Sequence, residues 1–457
     1  MRRTLSFRLG MAAVIGAAAF AVYWFRPETL PETDTLAVVD VEVPGRPPNG
    51  VVFLFSDANG FTARDTQMAR TIAANGSVAV GIDLKKTFIK ANAGIQDDDD
   101  CVYFVSDIEE LSQLLQRSAG AEAYLDPVIA GSGTGGAMVL AVAAQSPMST
   151  IGHAIAVDPT ESLPLKAELC SGAPHHPAAD GKGWTYGLQP GELPEPVTVV
   201  ETPGADQAGA AHVADLIGQG FAIERVASTD GRSEALNTAL GKAVAQAAAP
   251  ADGKLAGLPL AVLPADPRYD TMAIVLSGDG GWRDIDRQLG ESLSKGGIPV
   301  VGIDSLRYFW TRKSPETIAA DLTYVIDHFS DEWNVHHVAL IGYSFGADVL
   351  PAAYGLLPSD DKARVSVVSL LALSRWAAFE FDVSGWLDMD GDTSHPTLPD
   401  VAKLPSSIVQ CIYGADDDDS VCDQLAGSGV EVIKTEGDHH FDGDYGALAD
   451  RIIARIR

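Results

Sequence analysis

The chain has 457 residues, too many for one ordinary domain, so two are expected. Hydrophobic residues make up 46% and charged residues 21%, which is globular composition with ample core material. A formal charge of −30 excludes nucleic acid as a direct partner, because phosphates would be repelled; it also disfavours electrostatic docking on anionic lipid and favours a cationic substrate or partner.

At the N-terminus Arg2, Arg3 and Arg8 precede an uncharged apolar run from Leu9 to Phe25. The run reads either as a secretory signal ending at Ala19-Phe20-Ala21 or as an anchor, short against the roughly 20 residues that span a bilayer. Arg2-Arg3 adds a twin-arginine possibility. Positive charge before the run keeps that end cytoplasmic, so both readings export the remainder to the periplasm. Cys101, Cys170, Cys411 and Cys422 agree, since they suit one bridge in each half in an oxidising compartment. Closing the short loop between Cys411 and Cys422 would contribute about 2–3 kcal/mol in the chain-entropy model.

Residues 26–48 are Pro-rich and acidic and read as a linker. Beyond them short β-branched runs alternate with helix-like stretches. Val51–Phe55, Val78–Ile82, Val128–Ala130 and Val197–Val200 read as strands; Thr66–Ala74, Asp107–Gln116 and Ala210–Ile217 read as helices. Residues 248–263 read as a second linker, dividing a domain at 49–247 from one at 264–457. Met272–Leu276, Val300–Ile303, Val338–Ile341, Ser366–Leu373 and Ile408–Tyr413 are strand candidates there. The alternation indicates α/β architecture, with mostly parallel sheets covered on both faces.

The second half repeats the first. Ser56 and Ser277 each end an apolar strand, 221 positions apart, and the same offset carries Asp65 to Asp286, Gly76 to Gly297 and Asp83 to Asp304. Gly131-Ser132-Gly133-Thr134-Gly135 then aligns with Gly342-Tyr343-Ser344-Phe345-Gly346 at an offset of 211. A register held over this length implies duplication. Gly342 to Gly346 is a G-x-S-x-G elbow between an apolar strand and a helix-like stretch, Ala347–Leu356, which is how α/β-hydrolases expose a nucleophile. Both halves therefore read as α/β-hydrolase-like domains. The first holds Gly133 in the nucleophile slot and has no histidine near its end, so it lacks the catalytic residues.

Ester hydrolysis through a serine needs a hydroxyl, a base, an acid to orient the base, and donors for the oxyanion. Ser344 supplies the hydroxyl. The acid is expected after Ile408–Tyr413, where Asp416, Asp417, Asp418 and Asp419 follow Gly414. Asp419 is favoured, at the mouth of the site just before Cys422; Asp417 is the alternative, by its spacing from Gly414. The base is expected late in the chain at Gly437-Asp438-His439-His440-Phe441, ahead of the helix-like Leu448–Ile456. His439 is favoured, with Phe441 in the core behind it, and His440 is the alternative. The oxyanion donors are expected at Phe345 and in the loop Ser277-Gly278-Asp279-Gly280-Gly281-Trp282, through Asp279 and Gly280. This chemistry needs no cofactor or metal.

Five segments in order resemble the VirJ/AcvB family of bacterial virulence proteins over roughly residues 258–457: the loop Ser277–Trp282, Ser305-Leu306-Arg307-Tyr308-Phe309-Trp310, the elbow through Asp348, Cys411-Ile412-Tyr413-Gly414, and His439-His440-Phe441-Asp442. The tandem arrangement with an exported N-terminus resembles the longer members. The resemblance implies a periplasmic hydrolase that removes lysine from lysyl-phosphatidylglycerol, linked to acid tolerance and to virulence through type IV DNA transfer. It implies aminoacylated phospholipid at a membrane surface as partner, and components of type IV secretion beside it. Spacing alone indicates only an ester or thioester hydrolase. A lysyl head carries two positive charges, so Asp348, Asp442 and Asp444 become candidates to bind an ammonium; for Asp348 the competing reading is a carboxylate bracing local loops. Trp310, with Tyr308 and Phe309, reads as an apolar rim for lipid or equally as a core cluster. A reading of a different class is a non-catalytic periplasmic adaptor or chaperone for secretion substrates, with the elbow kept only for fold. A third is a dienelactone-type or peptidase relative.

Overall fold

The computed structural model describes residues 30–94, 101–170, 172–247, 255–381 and 395–456. The expected signal or anchor, residues 1–25, lies outside the described residues, as does the stretch 248–254 of the second linker.

Seven strands form a first sheet: β1 Val38–Glu42, β2 Val51–Phe55, β3 Val78–Ile82, β4 Val128–Ser132, β5 His153–Val157, β6 Val197–Glu201 and β7 Ile223–Ala227, in the order β1-β3-β2-β4-β5-β6-β7. Seven more form a second: β8 Leu260–Leu263, β9 Thr271–Leu276, β10 Val300–Ile303, β11 His337–Tyr343, β12 Val365–Leu371, β13 Val409–Gly414 and β14 Glu431–Thr435, in the order β8-β10-β9-β11-β12-β13-β14. The two orders are the same. In each sheet only the first strand is antiparallel, β1 against β3 and β8 against β10; the other pairings are parallel. The duplication read from residue spacing is thus a duplication of topology.

Central strands are buried on both faces because helices cover both. Along β9, Ile274 and Leu276 pack into one apolar cluster while Ala273 and Val275 pack into the opposite one. Along β2, Phe53 and Phe55 face one side and Val52 and Leu54 the other. Such strands read as continuous apolar runs, which is why most were visible in the sequence; β5, although central, was not among the strand candidates, nor were the parallel edge strands β7 and β14. The antiparallel edge strands β1 and β8 were not visible either: they fall inside the segments that read as linkers, β1 carries Asp40 and Glu42 among its valines, and β8 is four apolar residues between Pro259 and Pro264.

Cys101 and Cys170 are bridged, as are Cys411 and Cys422, which accords with an oxidising, extracytoplasmic location. Among the described residues no helix is long and apolar enough to cross a membrane.

The two domains share an apolar seam. Trp310 is buried among Ala121, Tyr124 and Leu306, with Phe381 stacked against its ring. Its indole N–H donates to Ala121 O at 2.9 Å. Trp310 is therefore a contact between domains and not an exposed rim for lipid. Its polar N–H had to find a partner once buried, and the other domain supplies one.

Candidate active site

β11 ends at Tyr343, and the helix Phe345–Leu356 begins directly after Ser344. Ser344 takes φ 51° and ψ −118°, a left-handed conformation costly for a residue with a Cβ. The glycines on either side explain how the turn closes. A Cβ on Gly342 would lie 2.5 Å from Gly346 O, and one on Gly346 would lie 2.2 Å from Leu276 O. Only glycine allows helix, elbow and β9 to approach so closely. Ser344 N donates to Leu371 O at 2.9 Å, which fixes the elbow to β12.

His439 reaches the elbow from the turn Asp438–Phe441. Phe441 N donates to Asp438 O at 2.9 Å, and Phe441 is buried behind the turn. That turn packs backbone to backbone on the acid loop: a Cβ on Gly414 would lie 2.1 Å from Asp438 O, and Asp416 N donates to Gly437 O at 2.8 Å. His439 Nε2 is 2.8 Å from Ser344 Oγ, and Nδ1 is 3.2 Å from Asp417 Oδ2. With Nδ1–H donating to the carboxylate, Nε2 is left as the acceptor that a base requires.

The acid at this position is Asp417, whose side chain is 2% exposed. Asp419, the residue favoured from sequence, is exposed. The cause is a tight turn, in which Asp417 N donates to Gly414 O at 3.2 Å and the chain turns inward two residues before Asp419. The Gly-x-x-Asp spacing is the signal that points to the carboxylate paired with His439. The loop is pinned beyond the turn by the Cys411–Cys422 bridge and by Val421 N donating to Leu373 O at 2.8 Å. His440 points away, with 71% of its side chain exposed.

The first domain locates the oxyanion donors. Gly133 holds φ 61° and ψ −122°, so the elbow persists without its serine. Ala58 N and Thr134 N both donate to Asp57 Oδ1, at 2.7 and 3.2 Å. Two backbone N–H groups thus converge on one anionic oxygen, which is the geometry an oxyanion hole needs. By the two register offsets Ala58 corresponds to Asp279 and Thr134 to Phe345. The equivalent pair in the second domain is therefore Asp279 N–H and Phe345 N–H. Gly280 corresponds to Asn59, which among the described residues has no hydrogen bond to Asp57, and Gly280 N–H meets the Asp279 carboxylate. Asp57 went unremarked in the sequence reading, although an acid standing where the second copy has Gly278 was a legible signal.

The expected ammonium-binding residues separate. Asp348 is buried and faces inward: Ser374 N donates to its Oδ1 at 2.8 Å and Ser374 Oγ to its Oδ2. Burial pushes its carboxyl up to about 8, against the pull of Ser374 and with the added repulsion of Asp279 and Asp417. It braces the loop after β12, as the competing reading held. Asp442 is exposed and accepts from Asp444 N at 3.0 Å. The acid beside the catalytic groups is Asp279. Burial raises its carboxyl above the ordinary range, opposed by N–H groups of its own residue and Gly280 and by the His439 ring.

A seven-stranded, mostly parallel sheet with a strained serine elbow, a histidine on the last loop and an acid after β13 defines an α/β-hydrolase domain. Residues 270–457 match the family described as bacterial virulence protein (VirJ), so the second half of the chain is a VirJ family domain. No curated protein matches the chain in sequence. Among solved structures the chain is similar to Est1E from Butyrivibrio proteoclasticus with bound ferulic acid, at 13% identity over 42% of this chain and 90% of that one, with a TM-score of 0.31. It is likewise similar to a putative dienelactone hydrolase from Klebsiella pneumoniae, at 14% identity over 42% and 88% of the two chains, with a TM-score of 0.30.

Proposed function

We propose that the second domain is a serine ester hydrolase acting in the periplasm on aminoacylated phospholipid, with lysyl-phosphatidylglycerol as its substrate. The observation that carries the reaction class is the continuous chain Ser344 Oγ, His439 and Asp417, at 2.8 and 3.2 Å. Ser344 Oγ attacks the ester carbonyl carbon while His439 Nε2 takes its proton. The carbonyl oxygen becomes an oxyanion held by Asp279 N–H and Phe345 N–H. Collapse breaks the ester bond, and His439 returns the proton to the departing glycerol hydroxyl. Water then attacks the lysyl-Ser344 ester with His439 as base, releasing lysine and restoring the serine.

The acidic surroundings support the substrate class. A charge of −30 and a half-buried carboxylate at Asp279 favour a cationic acyl group over an anionic one. The VirJ domain supports the link to virulence, and the links to acid tolerance and type IV DNA transfer are part of the proposal. The two disulfides support export, whether residues 9–25 are cleaved or retained as an anchor. An adaptor for secretion substrates has one observation in its favour: Gly133 leaves the first domain without a nucleophile.

The deciding experiment is lipid extraction from cells carrying wild type or Ser344→Ala, with purified protein assayed on lysyl-phosphatidylglycerol vesicles. Accumulation of lysyl lipid with the variant, and lysine release only by wild type, is expected. Unchanged lipid with preserved virulence would favour the adaptor.

A further inference from the structure

We infer that the nucleophile-free first domain holds the oxyanion loop of the second in its working position, with Glu109 as the positioning residue. The inference rests on the serine-hydrolase reading above and gives the first domain a role in the same reaction.

The loop from Ser277 to Trp282 must place Asp279 N–H to a fraction of an ångström for the oxyanion to be held. It contains Gly278, Gly280 and Gly281, so its own backbone resists displacement weakly. From inside its domain it is tied at both ends. Ser277 Oγ accepts from Ser305 N at 2.8 Å, Gly278 N donates to Asp286 Oδ2 at 3.3 Å, and Trp282 is buried against Gly302. The middle of the loop is a turn in which Gly281 N donates to Gly278 O at 3.2 Å, and the Arg283 side chain lies against it at Gly280.

The Arg283 side chain lies along the loop: a Cβ on Gly280 would stand 3.3 Å from its Nε. Its Nη1 donates to Glu109 Oε1, and the side chains are only 25% and 15% exposed. Glu109 belongs to the first domain, on the helix Val105–Ser118. That helix is fixed in its own domain by buried Asp107, which accepts from the N–H groups of Thr35 and Leu36 at 2.7 and 2.9 Å. It grips the second domain again one face further on. Arg117 donates to Trp310 O and Phe381 O at 2.6 and 2.7 Å, with its guanidinium 4.1 Å from the centre of the Trp310 ring. Arg307 of the second domain closes a further pair with Asp126. One rigid helix, anchored at both ends, therefore presents Glu109 to the arginine that lies against the loop.

The test uses the purified full chain and p-nitrophenyl acetate, a small neutral ester that needs no lipid docking. Glu109→Gln is expected to lower kcat about ten- to hundred-fold, short of the 10²–10³ lost with a whole oxyanion donor, while KM changes less than about two-fold. Exposed Glu110 on the same helix is the control, and Glu110→Gln is expected to leave kcat unchanged. Glu109→Asp, which keeps the charge on a shorter arm, is expected to recover part of the loss. If Glu109→Gln unfolds because Arg283 loses its more buried partner and keeps only Asp284, 3.4 Å from its Nε, Glu109→Gln with Arg283→Gln is measured instead, and the same fall in kcat is expected. A folded variant with wild-type kcat overturns the inference alone. A wild type that neither cleaves the ester nor is labelled at Ser344 by a fluorophosphonate overturns the hydrolase reading, and this inference with it.

Discussion

The carboxylate of Asp57 lies 2.9 Å from the point where a Cβ on Gly133 would stand. The missing nucleophile and the added acid are thus neighbours that compete for one space. Asp57 fills the oxyanion position of the first domain, and a side chain on the elbow would force that carboxylate to move. Arg232, at the start of the last helix of that domain, donates to Asp158 at 2.8 Å. Internal charges occupy both the oxyanion position and its surroundings.

Gly133→Ser alone is therefore expected to leave the first domain inactive and to destabilise it by about 1–3 kcal/mol, the usual range for overpacking. Asp57→Gly in the same chain should relieve most of that cost, giving a clearly non-additive double-mutant cycle in urea denaturation. An additive cycle would show that the two positions do not compete.

The acid loop offers a cleaner discrimination. Asp417→Asn is expected to lower kcat by about 10³–10⁴, as when the orienting acid of a triad becomes an amide. Asp419→Asn should leave kcat within about two-fold, because its side chain is exposed and does not meet His439. Steady-state kinetics on a soluble ester decides this, and the reverse result would restore Asp419 as the acid.

Much of this site could be read from the chain. The strained serine, the histidine ahead of Phe441 and the oxyanion loop each carry a local signature, because glycine is required wherever backbones meet closely, as at Gly342, Gly346 and Gly414. The choice among four consecutive aspartates could not be made securely, since it turns on one backbone hydrogen bond, Asp417 N to Gly414 O. Trp310 and Asp348 look alike as candidates for substrate contact in sequence; burial by a second domain and by Ser374 is a tertiary fact. The edge strand β1 was missed because acids interrupt its apolar pattern, and β8 because its four apolar residues sit between prolines in an Ala-, Pro- and Gly-rich stretch.

On the proposed lysyl-ester reading, Asp279 is the carboxylate that would meet the cationic acyl group. Asp279→Asn keeps the backbone N–H and removes the charge. It is expected to lower turnover of a lysyl ester about ten- to hundred-fold relative to an alanyl ester, the size of one charge-assisted hydrogen bond. Competition between the two lipids in mixed vesicles reads the ratio directly. Asp348→Asn should leave that ratio unchanged, because Asp348 faces Ser374; a changed ratio would return it to the substrate.

Asp348 instead makes stability depend on pH. Its carboxyl is raised to about 8 in the folded protein, chiefly by burial, from an unfolded value of 3.8. A raised acid holds its proton in the native state where the unfolded chain has already lost it. Its stabilising contribution is complete below the unfolded value and is lost as pH climbs to about 8. Across that window the group should reduce stability by at most about 1.4 kcal/mol per pH unit. Asp348→Asn imitates the protonated form and can still accept from Ser374 N–H, so it should flatten this part of the profile and stabilise most at the alkaline end. Chemical denaturation of both proteins at intervals from pH 4 to 9 measures the difference. Parallel profiles would mean that Asp348 is ionised in the folded protein throughout, with Ser374 donating to a charged carboxylate.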